Sequence, residues 1–294
     1  MNNTISFVVN AAINIPICAV SMVANSAILA SLANVLSSAH SSPLHVLLFG
    51  LAMSDLLVGL VVQPFFIFSR FARYSNDRDS FEILTDARSL AQNTLCGVSF
   101  LLVTCLSIER FLALHLHLRY KQIVTISRMI RVVVIIWATS GSASLLGIWK
   151  KGYFNYPAAP ATLVCLVINA VLYYKIYRVV KRHRRQIDFQ RQAQFCSPLK
   201  LVRFRSSFLN MFCVFVLFLM CYLPYLCIIG VIAGHGLYPD RNSLWLSYEV
   251  SWTFMYLNSA INPFLFAWRM KEIRSVFKRI ISRILQKLSC QRDV

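Results

Sequence analysis

Asp55 is the only charged residue between Met1 and Ser69. A carboxylate set so deep in an apolar run costs several kcal/mol unless it meets a partner or an ion. No basic residue in its own run can pair with it. Polar groups fall at similar depth in other apolar runs: Asn25, Ser99, Asn258, Ser259 and Asn262. Asn258 and Asn262 are four apart and share a helix face. Ser99 and Arg110 are eleven apart, three turns, so both can point inward. Two chemistries fit this set. One is a hydrogen-bonded plug between helices, worth about 1 kcal/mol per bond. The other is a small-cation or proton site at Asp55. The residues alone leave both open.

A second constellation is Glu109-Arg110-Phe111. An adjacent acid and base can hold each other until a partner draws one away, although interface snorkelling explains the same pair. A third is a candidate ligand pocket: Asp86, Ser89, Gln92, Asn93 and Cys96 in one run, Tyr222 in another. Tyr248, Trp252 and Tyr256, spaced every four residues with Glu249 beside them, complete it. An apolar wall with a few polar groups suits a ligand site, while helix packing accounts for each residue singly. Pro224 and Pro263 each remove a helix donor and should kink their helices, as switch pivots or as ordinary irregularities. No metal cluster, nucleophile elbow or phosphate loop supports an enzyme, so no catalytic residue is assigned.

The elements that position these groups are set by charge. The chain has 294 residues, 57% apolar and 14% charged, where a soluble domain carries roughly a quarter charged. Residues 1–54, 89–108, 132–149, 152–174, 206–239 and 250–268 carry no Asp, Glu, Lys or Arg. A bilayer crossing needs about 20 mostly apolar residues in a helix. These runs exclude a soluble enzyme, a nucleic-acid binder and a disordered chain. They predict an all-α membrane protein, a seven-transmembrane helix bundle with spans near 10–36, 44–69, 82–115, 129–149, 157–182, 204–233 and 242–268. Residues 1–9 are expected outside, 10–268 form the membrane domain, and 269–294 form an amphipathic surface helix and short cytoplasmic tail. In that last segment Ile273, Phe277, Ile280, Ile281, Ile284, Leu285 and Leu288 recur at helical spacing. The first apolar run lacks a basic leader and reads as a span rather than a signal peptide. Of 30 Lys and Arg, 23 fall on the side of Arg110 and the C-terminus and 7 on the other. The positive-inside bias then places the N-terminus outside and the C-terminus in the cytoplasm of a plasma-membrane protein. The loop with only His40 and His45, and the charged loop from Arg70 to Asp79, run against the trend without reversing it. Asn2-Asn3-Thr4 is a glycosylation sequon, and Cys290 is a palmitoylation candidate or a free thiol.

These residues in order resemble the rhodopsin-like (class A) family of G protein-coupled receptors, over about Asn25 to Cys290. Leu51-Ala52-Met53-Ser54-Asp55 is similar to that family's second-helix signature, and Ser107 to Phe111 to its acid-Arg-aromatic motif. Trp137 matches its fourth-helix tryptophan. Cys221-Tyr222-Leu223-Pro224 resembles Cys-Trp-x-Pro, and Asn258 to Phe266 contains a relative of Asn-Pro-x-x-Tyr. The resemblance implies a sodium ion at Asp55, Ser99, Asn258 and Asn262, with no other cofactor. It implies that Arg110 meets the G protein on activation and that Tyr173 joins it. It also implies an extracellular small-molecule, lipid or short-peptide ligand, a heterotrimeric G protein as partner, and an outward swing of the sixth helix.

The sequence departs from the family pattern in several places. Thr85 stands where a bridging cysteine is usual and the loop Lys150 to Tyr156 lacks cysteine, so no outer disulfide is expected. Phe266 and Phe111 replace tyrosines, Tyr222 replaces a tryptophan, and Cys165 stands where proline is common. Phe204 replaces an acid that often locks Arg110, which implies measurable basal signalling. The short second outer loop resembles the branch of melanocortin, cannabinoid, sphingolipid and adenosine receptors. Gln92 in place of an aspartate disfavours an amine ligand, and the absence of lysine from 242 to 268 rules out a retinal pigment. Two rivals stand beside a signalling receptor: a receptor-like binding protein that does not signal, and an ion or proton transporter using Asp55, for which no internal repeat is found.

Overall fold

The computed structural model describes residues 2–269 apart from 40, 117–118, 150–157, 192–198 and 236–241, together with Arg274, Ser275, Arg279, Ser282 and Gln286. Its described residues form seven long helices in chain order: Asn2–Leu36, Pro43–Tyr74, Arg78–His115, Ile126–Trp149, Ala158–Arg191, Leu199–His235 and Asn242–Arg269. They are called the first to the seventh. A four-residue helix, Tyr120–Ile123, lies between the third and fourth. The first helix begins at Asn2 rather than near residue 10, and the fifth runs on to Arg191, into the stretch read as a loop.

Six of these helices are long and apolar enough to cross a bilayer over their described residues. The seventh, at 28 residues, is long enough but more polar. Its Glu249, Ser251, Asn258, Ser259 and Asn262 are all buried. Its polarity therefore faces the bundle, and lipid would meet Val250, Phe254, Phe264 and Trp268, which are exposed. The whole molecule follows this inversion. Val134, Ile135, Leu145, Leu146, Leu163 and Val164 stand outward on the fourth and fifth helices, while Asn10, Asn14, Asn25, Asp55 and Gln63 are buried. Only a hydrocarbon solvent makes that distribution favourable.

The third helix is the central post, packed against the second, fourth, fifth and sixth, while the first closes the ring by packing on the seventh and second. It starts at an Asp77 cap whose carboxylate accepts the Ser80 backbone N–H at 3.1 Å. Asn76 takes the left-handed conformation (φ 56°) that ends the second helix. Hydrogen bonds from the Ser80 side chain and backbone hold the Asp77 carboxyl below its usual range. Close helix approach is bought with small residues. A Cβ on Gly59 would lie 3.1 Å from Met22 Cγ and 3.2 Å from Ser21 Oγ of the first helix.

The second helix widens into a π turn at Val58–Val62, just beyond Asp55. Pro64 follows, and its missing N–H cannot serve the Leu60 carbonyl, which breaks the ordinary ladder there. Gln63 N–H reaches back to the Val58 carbonyl. The Gly59 carbonyl instead accepts the Cys18 thiol at 3.1 Å, and the Asp55 carbonyl accepts Ser21 Oγ at 3.1 Å. Pro263 creates the same need in the seventh helix, since it cannot donate to the Ser259 carbonyl four residues back. Asn25 Nδ2 donates to that carbonyl at 3.0 Å. First-helix side chains thus satisfy backbone freed in two neighbours, as a dry interior requires.

Candidate functional site

One polar seam runs through the bundle, from an end marked by Arg88 to an end marked by Arg110. At mid-depth Asp55 is fully buried. Asn262 Nδ2 donates to its Oδ2 at 2.9 Å, and the Ser259 hydroxyl also reaches the carboxylate. Ser99 does not bond Asp55 directly; its hydroxyl meets that of Ser54 at 3.1 Å. Four buried oxygens here have no hydrogen-bond partner: Asp55 Oδ1, Asn258 Oδ1, Asn262 Oδ1 and Asn25 Oδ1. Oxygen acceptors around one carboxylate are what a hard cation takes, so the donor set fits the sodium ion that the resemblance implies.

A cavity of about 10 Å³, the size of one water, lies just toward the Arg88 end. Gln92, Cys96, Ser99, Tyr222, Tyr256 and Ser259 line it. Tyr222 donates its hydroxyl to Cys96 Sγ at 3.6 Å. Its ring stacks on Phe218 (centroids 4.3 Å apart) and meets Phe100 edge-on at 4.5 Å. Tyr256 donates to Gln92 Oε1 at 3.2 Å. Trp252 packs on Tyr225 and Tyr248, with centroids 4.8 and 5.3 Å away.

The pocket residues named from the sequence are mostly brought together, with one correction. Gln92, Tyr222, Glu249, Trp252 and Tyr256 are buried, and Ser89, Asn93, Cys96 and Tyr248 are half-buried. Asp86 is exposed and does not face inward. The inward stripe of the third helix is Arg88, Gln92, Leu95 and Ser99, and Asp86, two residues before Arg88, lies well over a quarter-turn off that face. Neither Arg70, read as a loop charge, nor Arg88, inside the third span but counted only among the outer-side charges, was singled out from the sequence. Arg70 is 2% exposed and Arg88 4%. Arg70 Nη1 lies 3.2 Å from Glu249 Oε2. Arg88 lies over the rings of Trp252 and Phe66, 5.4 and 5.6 Å from their centroids. The spacing held the signal: Arg88 precedes Ser99 by the same eleven residues that separate Ser99 from Arg110.

At the other end, Glu109 is 2% exposed. It accepts Arg110 Nε on Oε2 at 2.5 Å and Nη2 on Oε1 at 2.8 Å, a two-pronged pair. Tyr120, placed in a loop by sequence, also donates its hydroxyl to Glu109 Oε1. Burial, and then the Glu109 charge, push the Tyr120 phenol above its ordinary value. Tyr173 of the fifth helix is buried and stacks on Phe215 of the sixth at 5.0 Å. Asn169, also unforeseen, ties the fifth helix to the third: Ser107 donates to its Oδ1 at 2.5 Å, and its Nδ2 donates to Thr104 Oγ1 at 2.8 Å.

Pro224 and Pro263 lie inside the sixth and seventh helices, flanking this seam. Cys18, Cys96, Cys105, Cys165, Cys213, Cys221 and Cys227 are free thiols. Cys290, the side chains of Asn2 and Phe204, the loop 150–156 and the apolar positions of 269–289 lie outside the described residues. Within that last stretch Arg274 Nε donates to the Ala267 carbonyl at 3.1 Å.

The family model described as "7 transmembrane receptor (rhodopsin family)" matches residues 24–156 and 146–266. Adenosine receptor A2b of Gallus gallus is 24% identical over 281 residues, covering 82% of this chain and 79% of its own. The same receptor from Rattus norvegicus is 23% identical, covering 87% and 84%. Trace amine-associated receptor 365 of Petromyzon marinus is 26% identical, covering 81% and 70%.

Proposed function

The chain belongs to the rhodopsin family of seven-transmembrane receptors, and from that premise we propose that it binds an extracellular ligand at its Arg88 end and activates a heterotrimeric G protein at its Arg110 end. It is a multi-pass membrane receptor of the G protein-coupled class, not an enzyme. The observation that carries the activation reading is the Glu109–Arg110 pair, its acid buried and clamped by Tyr120.

The Arg110 end faces the cytoplasm in this reading. Arg70 and Arg88 leave the count of outer-loop charges because they are buried, so the bias toward the Arg110 side becomes 23 against 5. In the resting bundle Glu109 occupies the Arg110 guanidinium. A G protein entering between the third, fifth and sixth helices draws Arg110 away. The Tyr173–Phe215 stack joins the fifth helix to the sixth, so an outward swing of the sixth must break it and frees Tyr173 to join Arg110. Pro224 supplies the pivot. On the ligand side, Tyr222 connects the cavity beside Gln92 to the Phe100–Phe218 stack below. Sodium, when bound, supplies a positive charge that neutralises Asp55. Asp55, Asn258, Asn262 and Ser99 would hold it, and by tying the second, third and seventh helices together they favour the resting state. A ligand that prefers the open state by 1–3 kcal/mol suffices to couple the two ends.

A small molecule, lipid or short peptide suits the site. An amine does not, since Gln92 is neutral, Asp86 is exposed and Glu249 already faces Arg70. The likeness to adenosine receptors supports a small ligand without requiring adenosine. The test is a ligand-library screen in cells carrying this receptor and promiscuous G proteins. A second-messenger response absent from mock-transfected cells is expected, and binding of a hit without any response would mark a receptor that does not signal.

A further inference from the structure

The unpaired polar atoms of this bundle are sorted by chemistry. Around Asp55 they are oxygens. Toward the Arg88 end, N–H donors predominate: Arg88 Nε and Nη1, Gln92 Nε2 and Trp252 Nε1 are buried without a hydrogen-bond partner, against the oxygens Thr85 Oγ1 and Glu249 Oε2. The Gln92 carbonyl oxygen is already taken by Tyr256, whose hydroxyl also reaches the Arg88 guanidinium. Both arginines lie against the Phe66 ring, with guanidinium carbons 5.0 and 5.6 Å from its centroid. Among the described residues the buried acid nearby is Glu249, 3.2 Å from Arg70, and its charge acts on Arg88 as well. Asp77, Asp79, Glu82 and Asp86 at this end are all exposed. Among the described residues at this end, two buried guanidiniums and one buried carboxylate leave a single net positive charge.

The Tyr256 hydroxyl, the Glu249 charge and the rings beneath the guanidinium offset part of the cost of holding Arg88 in a low-dielectric interior, and an incoming anion that takes its idle donors would offset the rest. We propose that Arg88, with Trp252 Nε1 and Gln92 Nε2, forms an anion subsite that takes the carboxylate of an organic acid. This rests on the reading that ligand enters at this end. The charge count selects the class: one carboxylate cancels the excess, while a doubly charged phosphate would overshoot it. The planar fork of arginine matches the two oxygens of a carboxylate. The rings of Phe66, Trp252 and Tyr256 suit an apolar body behind that head group.

The experiment uses the full chain, purified into lipid discs, with benzoate and octanoate as probes and benzamide and octanamide as their uncharged counterparts. Thermal unfolding is followed at rising probe concentration. At least one carboxylate should raise the melting temperature, and its amide should not. Arg88→Gln should weaken the apparent affinity at least tenfold, with Arg88→Lys, which keeps the charge and loses the fork, in between. Arg88→Met serves as the replacement if the glutamine variant fails to fold. No shift with either carboxylate, equal shifts with acid and amide, or an unaltered response in both neutral variants would overturn the subsite. Basal nucleotide exchange by wild type in the same discs separates the two readings. Exchange without carboxylate binding sinks the subsite alone, and carboxylate binding with no exchange on any G protein, with or without the bound acid, sinks the coupling alone.

Discussion

Asp55 and Glu109 are both buried acids with different partners, and the difference sets what each can do. Asp55 meets amide and hydroxyl groups and retains an idle oxygen, so it is short of positive charge. Glu109 has both oxygens engaged. Sodium should therefore raise the melting temperature of the purified receptor, by about 1.4 kcal/mol of stability at ten times its dissociation constant. Asp55→Asn should abolish the shift relative to choline, and a sodium response undiminished in that variant would remove the ion from this site. Glu109 acts by holding Arg110. Weakening that hold by 1–2 kcal/mol changes a two-state ratio roughly 5- to 30-fold. Tyr120→Phe and Glu109→Gln should accordingly raise agonist-free signalling severalfold above wild type in transfected cells, the glutamine more. Basal output at or below wild type in both would show that the pair is no lock.

At the scale of helices, the consequence most open to measurement is the bond from Asn25 to the Ser259 carbonyl that Pro263 leaves free. Asn25→Ala should cost about 1–3 kcal/mol by leaving that carbonyl unsatisfied. Pro263→Ala restores an N–H four residues on, so the double variant should lose less than the two single changes combined. A thermal-unfolding cycle that is strictly additive would contradict this pairing. Gly59→Leu should lower the melting temperature far more than Gly141→Leu, because a side chain at 59 runs into Ser21 and Met22 while nothing lies within 4 Å at 141. The helices were legible in the sequence because uncharged runs of bilayer length permit little else. Asp55, Asn258 and Asn262 were legible because each breaks such a run. Arg70 was not, since a charge at the end of a span reads as loop, nor was Arg88, which lies inside its span but counts with the outer-side charges; only rotation about the helix reveals that each turns inward. Asp86 failed for the same reason, a face misjudged by two residues. Tyr120 and Asn169 gave no signal, as nothing local marks a tyrosine in a connecting turn or an amide in an apolar helix as a partner of distant groups. The π turn at Val58–Val62 has its sequence cue in Pro64, whose missing N–H interrupts the ladder.

At the scale of the molecule, a ligand at one end and a G protein at the other communicate only if the seam between them has two arrangements. Its parts are few: the aromatic set around Trp252, Tyr222 on the Phe100–Phe218 stack, the Asp55 cluster, and the Glu109–Arg110 clamp. Gln92→Ala and Trp252→Ala should shift agonist potency with surface expression retained, and unchanged dose curves would move the ligand elsewhere. Coupling itself is tested most directly by nucleotide exchange on a purified heterotrimeric G protein, catalysed by the receptor in lipid discs. Wild type should accelerate release of GDP above protein-free discs, and Arg110→Ala, folded and embedded to the same extent, should not. Acceleration that survives the loss of Arg110, or none from wild type with any G protein or ligand found to bind it, would contradict the role given to that end of the bundle.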